Sequence, residues 1–345
     1  MNGDHYTVMA YRRSCNLGDA IQTYALCRLL GGQCSAIYRD QVGFKEPLGT
    51  MLVNGWLGDN GGRKTVPAFF AGVFIGGNHL DNLEWLARHS AGAFVGARDP
   101  FTRRRLQTEG VPARMLGCAT LTLPRYNGPR SGVLHIDDGT TGCLHQAIAR
   151  DMPWKTQWEL AGSRIKELAQ ASAVYTSRLH VALPCLALGT PVCCIPGGDQ
   201  FTERFSLLDA LGVQTGRIVV SDVTNAAETF REALKELVGR ELPSQVEPEM
   251  PGLLHDTLAT DAHPIVFRAF EARHTHWKGK LFLYQNGWFR GGAASPDGLW
   301  EFEDDEATLV LRWYHWPEDR LNKTDTGYRN GSLVLRCASV QSGQA

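Results

Sequence analysis

The 345-residue chain predicts an α/β protein of two successive units followed by a small β-rich module. Three observations lead there. Short apolar, β-prone runs alternate with helical apolar spacing from Tyr6 to about Gly239. A Pro- and Glu-rich stretch breaks the pattern around Leu242 to Pro251. Beyond it, alternating or aromatic runs are separated by Asn-Gly and Asp-Gly turn signals. The expected boundaries are 1–128 and 129–245 for the two α/β domains, 246–262 for a linker and 263–345 for the β-rich module.

In the first unit Tyr6 to Ala10 reads as a strand, and Asp19 to Leu30 as a helix through Ile21, Tyr24, Ala25 and Leu29. Strands are expected at Cys34 to Tyr38, Thr50 to Asn54, Gly72 to Ile75, Ala93 to Gly96 and Ala113 to Leu116, with helices at Asn82 to Arg88 and Pro100 to Glu109. Such alternation calls for a largely parallel sheet covered on both faces. Pro124 to Ser131 has the composition of a hinge. The second unit offers strands at Gly132 to Ile136, Ala173 to Thr176, Pro191 to Ile195 and Arg217 to Val220. Its helices are expected at Leu144 to Arg150, Glu159 to Ala171, the stretch after Arg178, Glu203 to Leu211 and Ala226 to Gly239. Two α/β units in series would frame a cleft, a common place for ligands.

The tail predicts strands at Lys280 to Tyr284, Gly298 to Phe302, Ala307 to Trp313 and Ser332 to Arg336. Trp277, Trp288, Trp300, Trp313 and Trp316 gather there, either to fill a small β core or to form a carbohydrate-stacking surface.

Composition narrows the function classes. A hydrophobic content of 43% can fill the cores, and 35 Lys plus Arg against 36 Asp plus Glu leaves a formal charge of -1. That balance supplies no global field for nucleic acid or a membrane surface. Nine scattered cysteines without Cys-x-x-Cys or His/Cys ligand spacing read as buried reduced thiols of a cytoplasmic protein. No window approaches about eighteen uninterrupted apolar residues and no basic leader precedes an apolar stretch, so neither a membrane span nor secretion is expected.

Ser177-Arg178-Leu179-His180 concentrates the chemistry. It follows the strand at Ala173 to Thr176 and opens a short apolar helix, in which Pro184 is expected in the first turn. The carboxyl end of a strand is where open α/β sheets bind ligands. A guanidinium, an imidazole and a helix N-terminus there suit a phosphate or carboxylate. The plainer alternative pairs Arg178 with a carboxylate and makes His180 a helix cap.

Asn16-Leu17-Gly18-Asp19 joins the first strand to the first helix, with Gly18 permitting close approach, Asn16 or Asp19 capping and Gln22 on the first turn. Gly76-Gly77 reads as a backbone cradle or a turn. Arg98, before a capping Asp99, is either aimed into the cleft or engaged in a surface salt bridge.

Taken in order, Asn-x-Gly-Asp, Gly-Gly after a strand, Ala97-Arg98-Asp99-Pro100-Phe101-Thr102, Leu116-Gly117-Cys118-Ala119-Thr120-Leu121, then Ser-Arg-Leu-His with Ala187-Leu188-Gly189-Thr190-Pro191-Val192 resemble the polysaccharide pyruvyl transferase family. The resemblance runs from about Tyr11 to Pro196, more loosely to Val238, and leaves the tail out. It implies two Rossmann-like domains facing a cleft, as in the glycosyltransferase-B fold. It also implies transfer of a pyruvyl group from phosphoenolpyruvate to a sugar, forming a ketal. On that resemblance Arg178 clamps the donor with Ser177 and Leu179 beside it, Arg98 is a second anion ligand and His180 is the general acid, with a pKa near neutrality. Asn16, Gly18, Gly76 and Gly77 line the substrate site, and Asp19 orients or deprotonates an acceptor hydroxyl.

The implied partner is a sugar or glycan acceptor, with a lipid-linked one among the options. No cofactor beyond the donor substrate, no metal and no nucleic acid is expected, and the oligomeric state is left open. The same scaffold would serve a nucleotide-sugar-dependent glycosyltransferase, and the aromatic tail a non-catalytic glycan-binding protein. Asp137-Asp138, Glu303-Asp304-Asp305-Glu306 and His274-x-His276 read as turn or surface residues, and His135, His145, His255 and His263 receive no role.

Overall fold

The computed structural model describes residues 5–11, 16–31, 34–39, 47–57, 68–76, 90–148, 152–195, 202–243, 247–254, 266–284, 288–291, 298–313 and 318–338. By packing the chain divides into two compact units, Met1–His255 and Asp256–Ala345. The first is mixed α/β and contains both expected α/β stretches.

Its larger sheet is parallel throughout. Along the chain it takes β1 (Tyr6–Ala10), β2 (Cys34–Tyr38), β3 (Thr50–Trp56), β4 (Ala68–Phe74), β5 (Val95–Ala97) and β6 (Ala113–Met115). Across the sheet the order is β2-β1-β3-β4-β5-β6, with a later strand, β11 (Gly252–Leu253), added outside β2. The order reverses between β1 and β3, and the crevice at such a reversal, off the carboxyl ends of the strands, is where open α/β sheets take ligands. The Gly252–Leu253 strand lies in the stretch expected to be linker. Its neighbourhood is anchored too, since Trp154 Nε1 donates to Pro251 O at 3.3 Å and Glu247 accepts from Tyr24 Oη.

The smaller sheet joins β7 (Val133–Ile136), β8 (Ala173–Thr176) and β9 (Val192–Cys194) in parallel, with β10 (Ile218–Val219) antiparallel at its edge. Helices α1 (Leu17–Leu30), α2 (Pro100–Thr108), α3 (Trp154–Gln170), α4 (Leu179–Leu188), α5 (Ser206–Ala210) and α6 (Thr224–Val238) surround the two sheets. Helix α1 is buried on almost every side, as its sequence Leu-Gly-Asp-Ala-Ile-Gln-Thr-Tyr-Ala-Leu-Cys allows, and one apolar cluster runs from β1 through α1 to α3, α4 and α6. A second cluster, with Met9, Ile37, Val53 and Phe70, covers the other face of the large sheet.

Two sequence expectations change. Leu144 to Arg150 does not start a helix: Leu144 bridges Ile136, Ala147 bridges Asn16, and Leu17 N donates to Gln146 O at 3.0 Å. These backbone groups are taken by neighbouring chain segments, which outweighs a weak local helical pattern. Pro124 to Ser131 is no hinge, because Arg130 donates to the carbonyls of Tyr126, Ala169 and Leu188 and to Thr190 Oγ1. Asn82 to Arg88 and Gly77 lie outside the described residues.

The second unit is a closed, up-and-down antiparallel barrel. Its strands run in chain order: β12 (Val266–His274), β13 (Lys278–Tyr284), β14 (Trp288–Gly291), β15 (Gly298–Glu303), β16 (Thr308–Trp313), β17 (Asp319–Thr324), β18 (Gly327–Arg329) and β19 (Leu333–Cys337). Pairing of β19 with β12 closes the ring. Alternate residues point inward, so Phe270, Leu281, Leu283, Phe289, Leu309, Leu311, Leu321 and Leu335 form the core. Trp313 belongs to that core, and Trp277 and Trp300 pack against it.

Candidate functional site

The head of α1 and Arg98, which follows β5 and lies over Phe74 at the end of β4, converge on His180 at the start of α4. Helix α1 begins with Asn16 as cap, its Oδ1 accepting from Gly18 N at 3.0 Å. Gly18 has no space for a side chain, since a Cβ there would meet His180 Cβ at 2.6 Å and His180 Nδ1 at 3.0 Å. The glycine in Asn-x-Gly-Asp therefore admits the imidazole against the first turn of α1.

The imidazole lies between an amide and a guanidinium. Gln22 Nε2 stands 3.5 Å from His180 Nδ1, and Arg98 Nη1 stands 3.5 Å from His180 Nε2. Arginine and the Gln22 amide nitrogen both only donate, and a neutral ring has one lone pair, so His180 accepts from one of the two at a time. Burial, together with the charges of Arg98 and Arg204, holds the His180 pKa well below its ordinary value of 6.5. The sequence-based expectation of a pKa near neutrality is thus corrected, and the imidazole is neutral at physiological pH.

The local sequence explains the ring's position. His180 has φ -81° and ψ 17°, outside helical geometry, while α4 continues regularly beyond it. Pro184, four residues on, cannot donate to the His180 carbonyl, and its ring would collide with that carbonyl in a regular helix. Pro184 falls one turn deeper than the sequence suggested, and the kink at His180 accommodates it.

Arg98, at the end of β5, is only 1% exposed. Its guanidinium lies over the Phe74 ring at 4.3 Å, and its Nε approaches Asp99 Oδ2 at 3.4 Å. Among the described residues its Nη2 has no hydrogen-bond partner. Asp99 caps α2 by accepting from Thr102 N at 2.8 Å, and burial raises its pKa against the opposing pull of Arg98. The surface salt bridge considered for Arg98 is not what the fold builds, because both partners are buried.

Asp19 is buried and receives Gln22 Nε2 at 3.4 Å, while Gln22 Oε1 takes the Cys118 thiol at 3.8 Å. Gly76 is buried at the end of β4, beside Ile75, whose N–H donates to Thr102 Oγ1 at 3.2 Å. Leu179 packs into the core.

Arg178 takes a different direction. It is the N-cap residue of α4, and its Nε donates to Asp137 Oδ2 at 2.8 Å, with the side chain 39% exposed. Ser177 Oγ donates to the Asp137 carbonyl. The two groups are linked through the backbone: Asp137 accepts from Gln146 N, Gln146 O accepts from Leu17 N, and Ala147 bridges Asn16 at the head of α1.

Arg204 is a member of this surround that residue patterns did not name, Gln22 was read only as lying on the first turn of α1, and Asp137 only as a turn or surface residue. Asp137 had a usable signal, because it stands at the carboxyl end of β7 just as Arg178 follows β8. Gln22 lies one helical turn beyond Gly18, on the face the glycine opens. Among the described residues no three His, Cys, Asp or Glu side chains converge as a metal would require.

No family model matches the chain, and no curated protein does. Among solved structures, an uncharacterized protein of Klebsiella pneumoniae subsp. pneumoniae is similar over 60% of this chain and 88% of that one. The identity is 16% and the TM-score 0.41, so function rests on the chemistry of the site. No helix among the described residues is long and apolar enough to cross a membrane.

Proposed function

We propose that this protein transfers a pyruvyl group from phosphoenolpyruvate to two hydroxyls of a sugar, forming a ketal and releasing phosphate. The observation that carries the reading is Arg98: a guanidinium 1% exposed, whose Nη2 has no hydrogen-bond partner among the described residues, against a neutral imidazole at the head of α1. A buried cation with an unfilled donor is stabilised by an anion that reaches it. Phosphoenolpyruvate carries two anionic groups, and Arg178 at the start of α4 supplies a second guanidinium. The reading brings with it two Rossmann-like domains arranged as in the glycosyltransferase-B fold, with donor and acceptor meeting where the two halves join.

Proton supply follows from electrostatics. Burial, and after it the charges of Arg98 and Arg204, disfavour the imidazolium of His180. A bound dianion offsets those charges, so donor binding brings the proton that catalysis needs. His180 then protonates the methylene carbon of the enol, and positive charge develops at the carbon bearing the phosphate. A sugar hydroxyl attacks that carbon, phosphate departs, and the second hydroxyl closes the ketal. Of the two hydroxyl protons released, one replaces the proton given to the methyl group and one leaves with phosphate. Asp19 holds Gln22, and through it one edge of His180, which makes it an orienting group in this scheme.

The test is mass spectrometry of candidate glycans incubated with the protein and phosphoenolpyruvate. A pyruvyl-sized addition is expected from the wild type, and a loss of about 100-fold or more in rate from His180→Ala. Full transfer by His180→Ala sinks the assignment of the acid. Stabilisation by nucleotide sugars with none by phosphoenolpyruvate sinks the pyruvyl reading itself.

A further inference from the structure

Asp137 is the centre of a second constellation, of which the scheme above uses only Arg178. It follows β7 with φ 48°, a left-handed backbone in a residue that is not glycine. Its carboxylate is fully engaged: Oδ1 accepts from His145 Nδ1 at 2.7 Å, and Oδ2 accepts from Arg178 Nε at 2.8 Å and from Gln146 N at 3.0 Å. Burial acts to raise its pKa, but the bonds from His145, Gln146 and Arg178 prevail and keep it below the usual carboxylate range. One ionised carboxylate thus bridges an imidazole and a guanidinium.

The two bridged side chains differ in what they leave open. The His145 side chain is 70% exposed, against 9% for Asp137. Because Nδ1 gives its proton to the carboxylate, the lone pair of the neutral ring lies on Nε2, which has no partner among the described residues. Arg178 uses Nε for Asp137, and neither of its Nη atoms has a partner among the described residues. The nearby His135 is arranged otherwise: Asp138, which takes its Nδ1 at 2.6 Å, also accepts Thr140 N and Oγ1, and the ring stacks on Tyr175. That pair closes a turn, whereas the His145 pair presents a base beside an anion-binding group.

We infer that His145, oriented by Asp137, is the base that takes the proton from the attacking sugar hydroxyl. This rests on the pyruvyl-transfer reading. As the bond from hydroxyl oxygen to the central carbon forms, the O–H bond breaks and its proton moves to Nε2. When the bond from that carbon to phosphate oxygen breaks, the electron pair leaves with phosphate, which accepts the proton and restores the neutral ring. Asp137 is the positioning residue for both His145 and Arg178, so donor and acceptor chemistry share one carboxylate. Asp19, the other candidate base, is buried against Gln22.

The experiment follows phosphate release from phosphoenolpyruvate by the full-length chain, with methyl hexosides as acceptors. His145→Ala is expected to lower kcat about 100-fold with the KM for phosphoenolpyruvate unchanged, and added imidazole restores the rate. Asp137→Asn is expected to lower kcat and raise that KM together, because it frees Arg178 as well. Because the His145 side chain is exposed, His145→Ala is expected to keep the wild-type thermal midpoint, which separates loss of the base from loss of folding. An unchanged kcat in His145→Ala, or a loss that imidazole fails to restore, overturns this inference while leaving the pyruvyl reading in place. A wild-type protein that releases no phosphate from phosphoenolpyruvate with any acceptor overturns both.

Discussion

Keeping an imidazole neutral has a cost that depends on pH. The folded His180 has a pKa below the 6.5 of the unfolded chain. As pH falls through 6.5 the unfolded state binds the proton first, so the fold loses stability between 6.5 and the lower folded value, and loses none above 6.5. The expected outcome is that wild type loses Tm relative to His180→Gln as pH drops from 7 toward 5, measured by thermal melts in parallel buffers. Sulfate, a dianion across this range, is expected to reverse the loss in wild type and not in the variant. A gap that stays constant with pH rules out His180 as the titrating group. The same residue shows how far pattern reading reaches. Arg98 and His180 were found because both follow apolar strands, but their burial and mutual approach join residues 82 positions apart.

At the scale of elements, the junction of α1 with α4 decides whether the site exists. Gly18→Ala ordinarily stabilises a helix by about 0.5–1 kcal/mol. Here the new Cβ would stand 2.6 Å from His180 Cβ, and overpacking of this kind costs about 1–3 kcal/mol. The variant is expected to melt lower than wild type and to lose stabilisation by phosphoenolpyruvate, both readable in a thermal-shift series. A variant that melts higher and keeps its ligand response contradicts the packing described. Most elements of the first unit were legible because their strands are short apolar runs and α2 carries its own Asp-Pro start signal. The stretch from Leu144 to Arg150 misled because its backbone pairs with β7 and with the head of α1, contacts that local periodicity does not encode. Strand β17, with the sequence Asp-Arg-Leu-Asn-Lys-Thr, escaped for a related reason: only Leu321 reaches the core.

Across the whole molecule, two units with separate cores are expected to unfold separately. The barrel has its own apolar interior and a closed ring of strands without free edges. Calorimetry of the full chain is expected to show two transitions, one reproduced by a fragment of residues 256–345. Leu311→Ala is expected to lower only that transition, by about 2–5 kcal/mol for a fully buried leucine. A single transition shifted as a whole by the barrel variant contradicts independent cores.

What the sequence determined by itself was the α/β class, the change to β structure in the tail, and Asn16, Gly18, Arg98, Arg178 and His180 as residues at strand ends. Those are local properties: apolar period, turn chemistry and the type of residue at a boundary. Only the tertiary structure decided that the barrel closes, that Gly18 makes room for an imidazole, that His180 is neutral, and that Asp137 joins Arg178 to His145. Closure depends on pairing between β12 and β19, and proton affinity depends on burial and on charges brought near by folding. These are distances between residues far apart in the chain, which no local pattern records.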